Sequence, residues 1–281
     1  MVCDSYTGTV VNRVAAVSNS CLSINSCIFR MLVSSSSNGG AVLVSDSSKT
    51  VSIFETSFSN CSSPGYHGGA AYLKVSACSI NRCCGALCSA SLLHFMYQNC
   101  LSSSFSDFNQ STYYFCPRQH VQSAHSFMIH LANQRVFHDN ASCNSLSGHS
   151  PGIHIDGPSS ICSSYVTISN CSGEYIIILN GGDGVNSLSY YNILHNTPSS
   201  SLFYCYKSYT ISHSSILFNS NNNVHYPSTG SLTFLSCNTN PLVSATFLQH
   251  EYPNGCILEA FPTPGKLIYS PLVFLFSQFC Y

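Results

Sequence analysis

The chain has 281 residues and a formal net charge of -1; only 7% of its residues are charged, while 44% are hydrophobic. That balance excludes a disordered chain, which combines low hydrophobicity with high net charge. Nine Lys and Arg residues, scattered at positions such as Arg13, Lys74 and Arg135, exclude the basic stripe that nucleic acid requires.

Met1 to Ser5 carry neither a basic nor an apolar run, so no signal peptide is expected. From there on, apolar residues alternate over four to eight positions and are then cut off by Ser, Asn, Gly or Pro, a strand pattern with no long helices. The clearest strands are 51–54, 165–168, 209–212 and 231–234, all rich in β-branched and aromatic residues.

The strands end in a recurring way, with Asn one or two residues before Cys, as at Asn19/Cys21, Asn25/Cys27, Asn60/Cys61, Asn81/Cys83, Asn99/Cys100 and Asn170/Cys171. Asn tolerates the left-handed backbone of a sharp corner, and a reduced Cys is a small buried hydrophobe. Stacked corners of this kind predict an Asn ladder. They also predict that Cys27, Cys61, Cys100 and Cys171 are buried thiols in coil corners.

A second landmark is Gly-Gly before an apolar strand, at Gly39-Gly40 and again at Gly68-Gly69, with a weaker copy at Gly181-Gly182. Asn140, Asn170, Asn196 and Asn219 continue at spacings of 30, 26 and 23. Periods of this size mark solenoids, and their irregularity fits stacked strands joined by loops of varying length.

These features predict an all-β chain folded as a right-handed parallel β-helix. At roughly 25 residues per coil it makes about ten or eleven coils and a rod roughly 50 Å long. The helix occupies 1–240. The less regular, Pro-rich segment 241–281 is a cap or linker with a short apolar tail. That tail, Leu267 to Tyr281, is expected to lie against the rod, because it falls short of the roughly 18 apolar residues that a membrane span needs. A closed antiparallel barrel or sandwich would need tight hairpin turns, and only isolated Asp-Gly and Asn-Gly pairs occur.

The Gly-Gly-Ala segments, together with Phe137 to Asn140 and Phe218 to Asn221, resemble the repeats of polymorphic outer-membrane-protein β-helices. Similar Ser/Asn/Cys-rich repeats occur in adhesin-like families of trichomonad protists and chlamydiae. The resemblance implies a cysteine-rich protein of the cell surface or extracellular space. It implies a non-catalytic, adhesin-like interaction scaffold that binds a glycan or a protein, with the oligomeric state left open.

The rival reading is a polysaccharide hydrolase or lyase. Its catalytic candidates are Asp156 and Asp183, separated by about one repeat and so on adjacent coils, with His154 beside Asp156. Both aspartates adjoin Gly, where Asp is a good turn residue, and the turn reading is preferred. A third reading is a truncated, inactive family member. Cys83, Cys84 and Cys88 lack the second knuckle of a zinc site, so neither metal nor cofactor is expected. The pairs His125/His130 and His149/His154 are read as strand or loop residues. Seventeen cysteines, an odd number, leave at least one without an intrachain partner. The sequons at Asn60, Asn109, Asn140 and Asn170 are glycan acceptors only if secreted and exposed, and Asn60 and Asn170 are read as ladder residues.

Overall fold

A computed structural model describes residues 3–10, 12–15, 17–117, 125–182, 186–220, 223–226 and 230–239. Every strand pairing among them is parallel, and each strand pairs with its counterparts roughly one coil away. The result is a parallel β-solenoid of about eight turns. The count is lower than the ten or eleven expected for two reasons. Several coils are longer than the sequence suggested, as from Ser26 to Glu55 and from Gln110 to His138, and the segment after 239 lies outside the described residues. At about 4.8 Å per coil the rod is about 40 Å long. The expected resting place of Leu267 to Tyr281 likewise lies outside the described residues.

Each turn has three faces. Face A runs through 42–46, 71–75, 93–100, 125–130, 150–156, 175–180 and 201–205. Face B runs through 21–25, 50–54, 77–81, 105–109, 133–137, 160–164, 186–189, 209–212 and 232–235. Face C is short, with three residues per strand, as at 57–59, 84–86 and 112–114.

Two corners flank face C, and both are built from non-glycine residues with positive φ. The first is Ser26, Glu55, Arg82, Gln110, His138, Tyr165, Tyr190, His213 and Ser236; the second lies five residues later, at Met31, Asn60, Leu87, Phe115, Cys143, Asn170, His195 and Phe218. A side chain in this region costs about 1–2 kcal/mol relative to the ordinary helix conformation. Stacking offsets part of that cost. His138, Tyr165, Tyr190 and His213 form one outward column with ring centroids 4.8, 4.8 and 5.3 Å apart, and His195 stacks on Phe218 at 5.0 Å.

At most of these corners the residue after the positive-φ position turns inward and carries a polar group that stitches the coils together. Where it is Thr, Ser, Asp or Asn, its oxygen accepts the main-chain N–H of the coil before. Cys83 N donates to Ser111 Oγ (3.1 Å), Ser111 N to Asp139 Oδ1 (2.7 Å) and Cys171 N to Asn196 Oδ1 (2.9 Å). Where it is Cys, the thiol donates to carbonyls instead, as Cys171 does to Ser169 O (3.4 Å). The expected buried thiols are present: Cys27, Cys61, Cys100 and Cys171 are all free and buried. Cys100, however, ends the face A strand Leu93–Cys100 rather than turning a corner. Cys3 and Cys21, aligned on adjacent coils, form a disulfide with a Cα–Cα distance of 4.6 Å.

The Asn signature mixes several positions. Asn60 and Asn170 are themselves the outward, positive-φ residues, so the ladder reading fails for them. Asn25 and Asn81 end face B strands. An amide rung does join Asn196 Nδ2 to Asn219 Oδ1 at 3.1 Å. The Gly-Gly repeats are sound landmarks, because Gly40 N donates to Gly68 O and Gly68 N donates to Leu93 O, placing both pairs at one corner a turn apart. Gly181-Gly182 is different: it follows the face A strand Ser172–Asn180 instead of preceding it.

The interior is filled from all three faces. On face B, Ile24, Ile53, Ile80, Phe108 and Val136 make one buried column. On face C the column Phe29, Phe58, Gly85, Tyr113 contains a gap at Gly85, which the Phe95 ring from face A occupies. Phe108 and Phe127 close the same layer at 4.4 Å. Each such ring, fully buried, contributes roughly 1.5–3 kcal/mol.

Candidate functional site

In a strand, alternate side chains face out, and in-register stacking turns each outward position into a column along the rod. Face A carries two such columns side by side. One holds Tyr72, Tyr97, Met128, His154, Ile178 and Tyr204; the other holds Lys74, Asn99, His130, Asp156 and Asn180. The aromatic column begins with Tyr72 and Tyr97, ring centroids 5.0 Å apart, against which His67 leans at 6.3 and 6.4 Å. It ends with Tyr204 and Tyr226 at 5.4 Å, flanked by Tyr175 and exposed Tyr206.

The polar column is hydrogen-bonded across coils. Asp156 Oδ2 lies 2.6 Å from His130 Nδ1, and its other oxygen accepts from Asn180 Nδ2 at 2.7 Å. Asn99 Nδ2 donates to the Tyr97 hydroxyl at 3.0 Å, linking the two columns. Partial burial raises the Asp156 pKa, but the His130 bond, the electrostatic influence of the neighbouring imidazoles and the Asn180 bond together hold it below the usual carboxylate range. Asp156 is therefore a carboxylate that orients an imidazole. A general acid for glycoside cleavage would need the opposite shift.

His154 has a different environment. It is buried, and its Nδ1 lies 3.0 Å from His125 Nε2 of the coil before. The exposed His149 ring stacks on His125 at 5.5 Å and faces Glu174 at 3.4 Å. Burial pushes His154 down to about 4, partly opposed by Asp156, and pushes His125 well below its ordinary value. The two imidazoles are neutral and share one hydrogen. Their outer nitrogens, His125 Nδ1 and His154 Nε2, are buried without a hydrogen-bond partner.

Of the three catalytic candidates, Asp156 and His154 thus stand on one strand with separate partners, and Asp183 lies outside the described residues. The Cys83/Cys84/Cys88 group is dispersed, since Cys83 and Cys88 turn inward at successive corners while Cys84 begins the face C strand Cys84–Ala86. Among the described residues no group of three or more His, Cys, Asp or Glu is arranged to hold a metal ion, and no helix is long and apolar enough to cross a membrane.

Sequence reasoning missed His130, Asn180, Tyr97 and the His125/His154 contact. The signal was present in the spacings: 26 residues from His130 to Asp156, 24 to Asn180 and 29 from His125 to His154 are each one turn. A trough of about 390 Å³ on face B, lined by Leu22, Ser23, Val51, Ser52, Phe105 and Asp107 among others, presents mostly apolar surface. No protein-family profile, curated protein or solved structure matches the chain, so the fold and the paired columns of face A rest on its own residues.

Proposed function

We propose that the chain is a non-catalytic interaction scaffold of adhesin-like type that binds an extended glycan along face A. The observation that carries this reading is the pairing of an aromatic column with a polar column, both parallel to the rod axis. Tyr rings give apolar area for the C–H faces of sugars, with a hydroxyl at the tip. Asn99, His130, Asp156 and Asn180 supply donors and acceptors at one residue per coil, the arrangement that fixes orientation in a polar ligand site. A cell-surface location accords with this reading and with the resemblance of the repeats to adhesin-like proteins.

Retention of the full chain on a panel of immobilised polysaccharides tests the reading. At least one should retard the protein, and Tyr97→Ala should weaken that binding about tenfold, the loss expected for one stacked ring. Retention unchanged in both Tyr97→Ala and Asn99→Ala, or none on any polymer, would overturn the assignment to face A.

One observation favours the enzyme as a second reading: the His130–Asp156 contact of 2.6 Å, in which a carboxylate orients a partly buried imidazole. In that reading His130 is the base and Asp156 the positioning residue. The same panel decides, because released reducing ends or unsaturated products that vanish in His130→Gln would establish turnover.

A further inference from the structure

The remaining chemistry-bearing feature lies inside the rod. Cys78 faces inward on face B, aligned with Val51 before it and Ser106 after it. Cys100 ends the next face A strand, aligned with Val75. Both are free and buried, and their sulfurs are 3.2 Å apart. A formed disulfide has a separation of ~2.05 Å, so closure needs a movement of about 1.2 Å.

The surroundings differ from those of the corner thiols. Cys61 and Cys88 each sit within donating distance of two main-chain carbonyls, Phe29 O and Ser59 O for the first, Phe58 O and Ala86 O for the second. The corner thiols also contact one another, but Cys78 Sγ adds two side-chain oxygens beside its partner sulfur Cys100: Gln98 Oε1 at 3.4 Å and Ser106 Oγ at 3.4 Å. Ser106 Oγ in turn donates to Gln98 Oε1 at 2.9 Å. Cys78 and Cys100 thus share a small hydrogen-bonded cluster with Gln98 and Ser106 inside the rod.

We propose that Cys78 and Cys100 form a peroxide-responsive disulfide site that ties face B of one coil to face A of the next. The Cys3–Cys21 disulfide, between aligned residues of one face, shows that adjacent coils of this solenoid can be bridged. Cys100 is the attacking sulfur, because Cys78 lies within donating distance of Gln98 Oε1, an acceptor that favours the protonated thiol at Cys78. Its thiolate takes the terminal oxygen of a hydroperoxide, breaking the O–O bond to give a sulfenic acid and, for hydrogen peroxide, water. Cys78 then attacks that sulfur, the S–O bond breaks, and the hydroxyl leaves with the Cys78 proton as a second water. The net change is two thiols and one peroxide converted to one disulfide and two waters. The bridge joins positions 22 residues apart in sequence, nearly a full turn, so it resists uncoiling at this level of the rod.

Cross-link mapping tests the assignment. The folded full chain, with its free thiols reduced, is titrated with hydrogen peroxide, denatured with an alkylating agent, digested without reduction and sequenced by mass spectrometry. A Cys78–Cys100 peptide should be the first new disulfide, with a thermal midpoint raised by several degrees and reversed by dithiothreitol. In Cys100→Ser the cross-link should vanish and Cys78 should be recovered alkylated. The parent map decides the matter even if that variant misfolds. Earlier pairing of Cys61 with Cys88, or oxidation confined to exposed Cys162 while Cys78 and Cys100 stay alkylatable, would overturn it.

Discussion

Replacing Gly69 by Ala should damage the solenoid far more than one methyl group suggests. A Cβ at this position would stand 2.2 Å from His94 O and 2.6 Å from both Ser89 N and Ser89 O, all main-chain atoms of the next coil. Ordinary contact begins near 3.4 Å, so the His94 carbonyl must retreat by more than an ångström. That displacement disturbs Ser89 N donating to Cys61 O at 3.0 Å and Ala70 N donating to Phe95 O at 2.9 Å. Two buried main-chain bonds at about 1–3 kcal/mol each, with overpacking of about 1–3 kcal/mol, give a loss of roughly 3–9 kcal/mol. A domain holds roughly 5–15 kcal/mol in total. Urea unfolding followed by circular dichroism measures the loss, and hydrogen exchange locates it, since solenoids can open coil by coil. Protection should fall around 61–70 and 89–96. Gly65→Ala is the control: nothing lies within 4 Å, and only its φ of +88° opposes the substitution, at about 1–2 kcal/mol. A Gly69→Ala protein within about 0.5 kcal/mol of the parent, the range of an inconsequential surface change, would refute the close-approach argument.

Acidification should destabilise the rod between about pH 6.5 and pH 4. Burial holds His94 and His154 down to about 4, so between these limits the unfolded chain binds protons that the folded chain refuses, and stability falls as pH falls. His94 alone accounts for about 3 kcal/mol below pH 4; denaturation midpoints at several pH values should show the slope, and His94→Gln should reduce it. Asp139→Asn should stabilise the protein by about 1–3 kcal/mol at pH 7.5. Burial raises the Asp139 pKa well above the ordinary value, and although Oδ1 accepts from Ser111 N, Oδ2 has no partner. A raised folded pKa gives a contribution that improves on acidification, so the variant should also steepen the acid loss; a less stable Asp139→Asn protein at pH 7.5 would contradict this.

The sequence announced the solenoid where glycine marks it. Gly39-Gly40 and Gly68-Gly69 stand one turn apart because only glycine lets successive main chains approach so closely there. The alternation of apolar residues gave strands, and Cys27, Cys61, Cys100 and Cys171 were correctly read as small buried thiols. The other two corners were hidden. Their positive-φ positions hold Glu55, Arg82, His138, Tyr165 and Phe218 among others, residue types that no turn rule singles out. Without those corners the coil boundaries could not be drawn, so the turn count came out too high. The same gap concealed the site: Asp156 drew notice for its neighbour Gly157, whereas its partners His130 and Asn180 belong to the coils before and after.

The two positive-φ corners keep one constant separation along the rod, from Ser26 and Met31 to His213 and Phe218. The rest of the circuit is elastic: the stretch from His195 to His213 is shorter by a quarter than the stretch from Met31 to Glu55. One edge of the rod therefore works like the spine of a book, fixed in pitch and sequence length, while the opposite margin accepts pages of different width. Insertions and foreign loops placed on that margin should leave the stacking untouched, and the same residue count added within the spine should jam it. Diversification of such a protein would then accumulate along one side, leaving a single rigid back shared by many variable fronts.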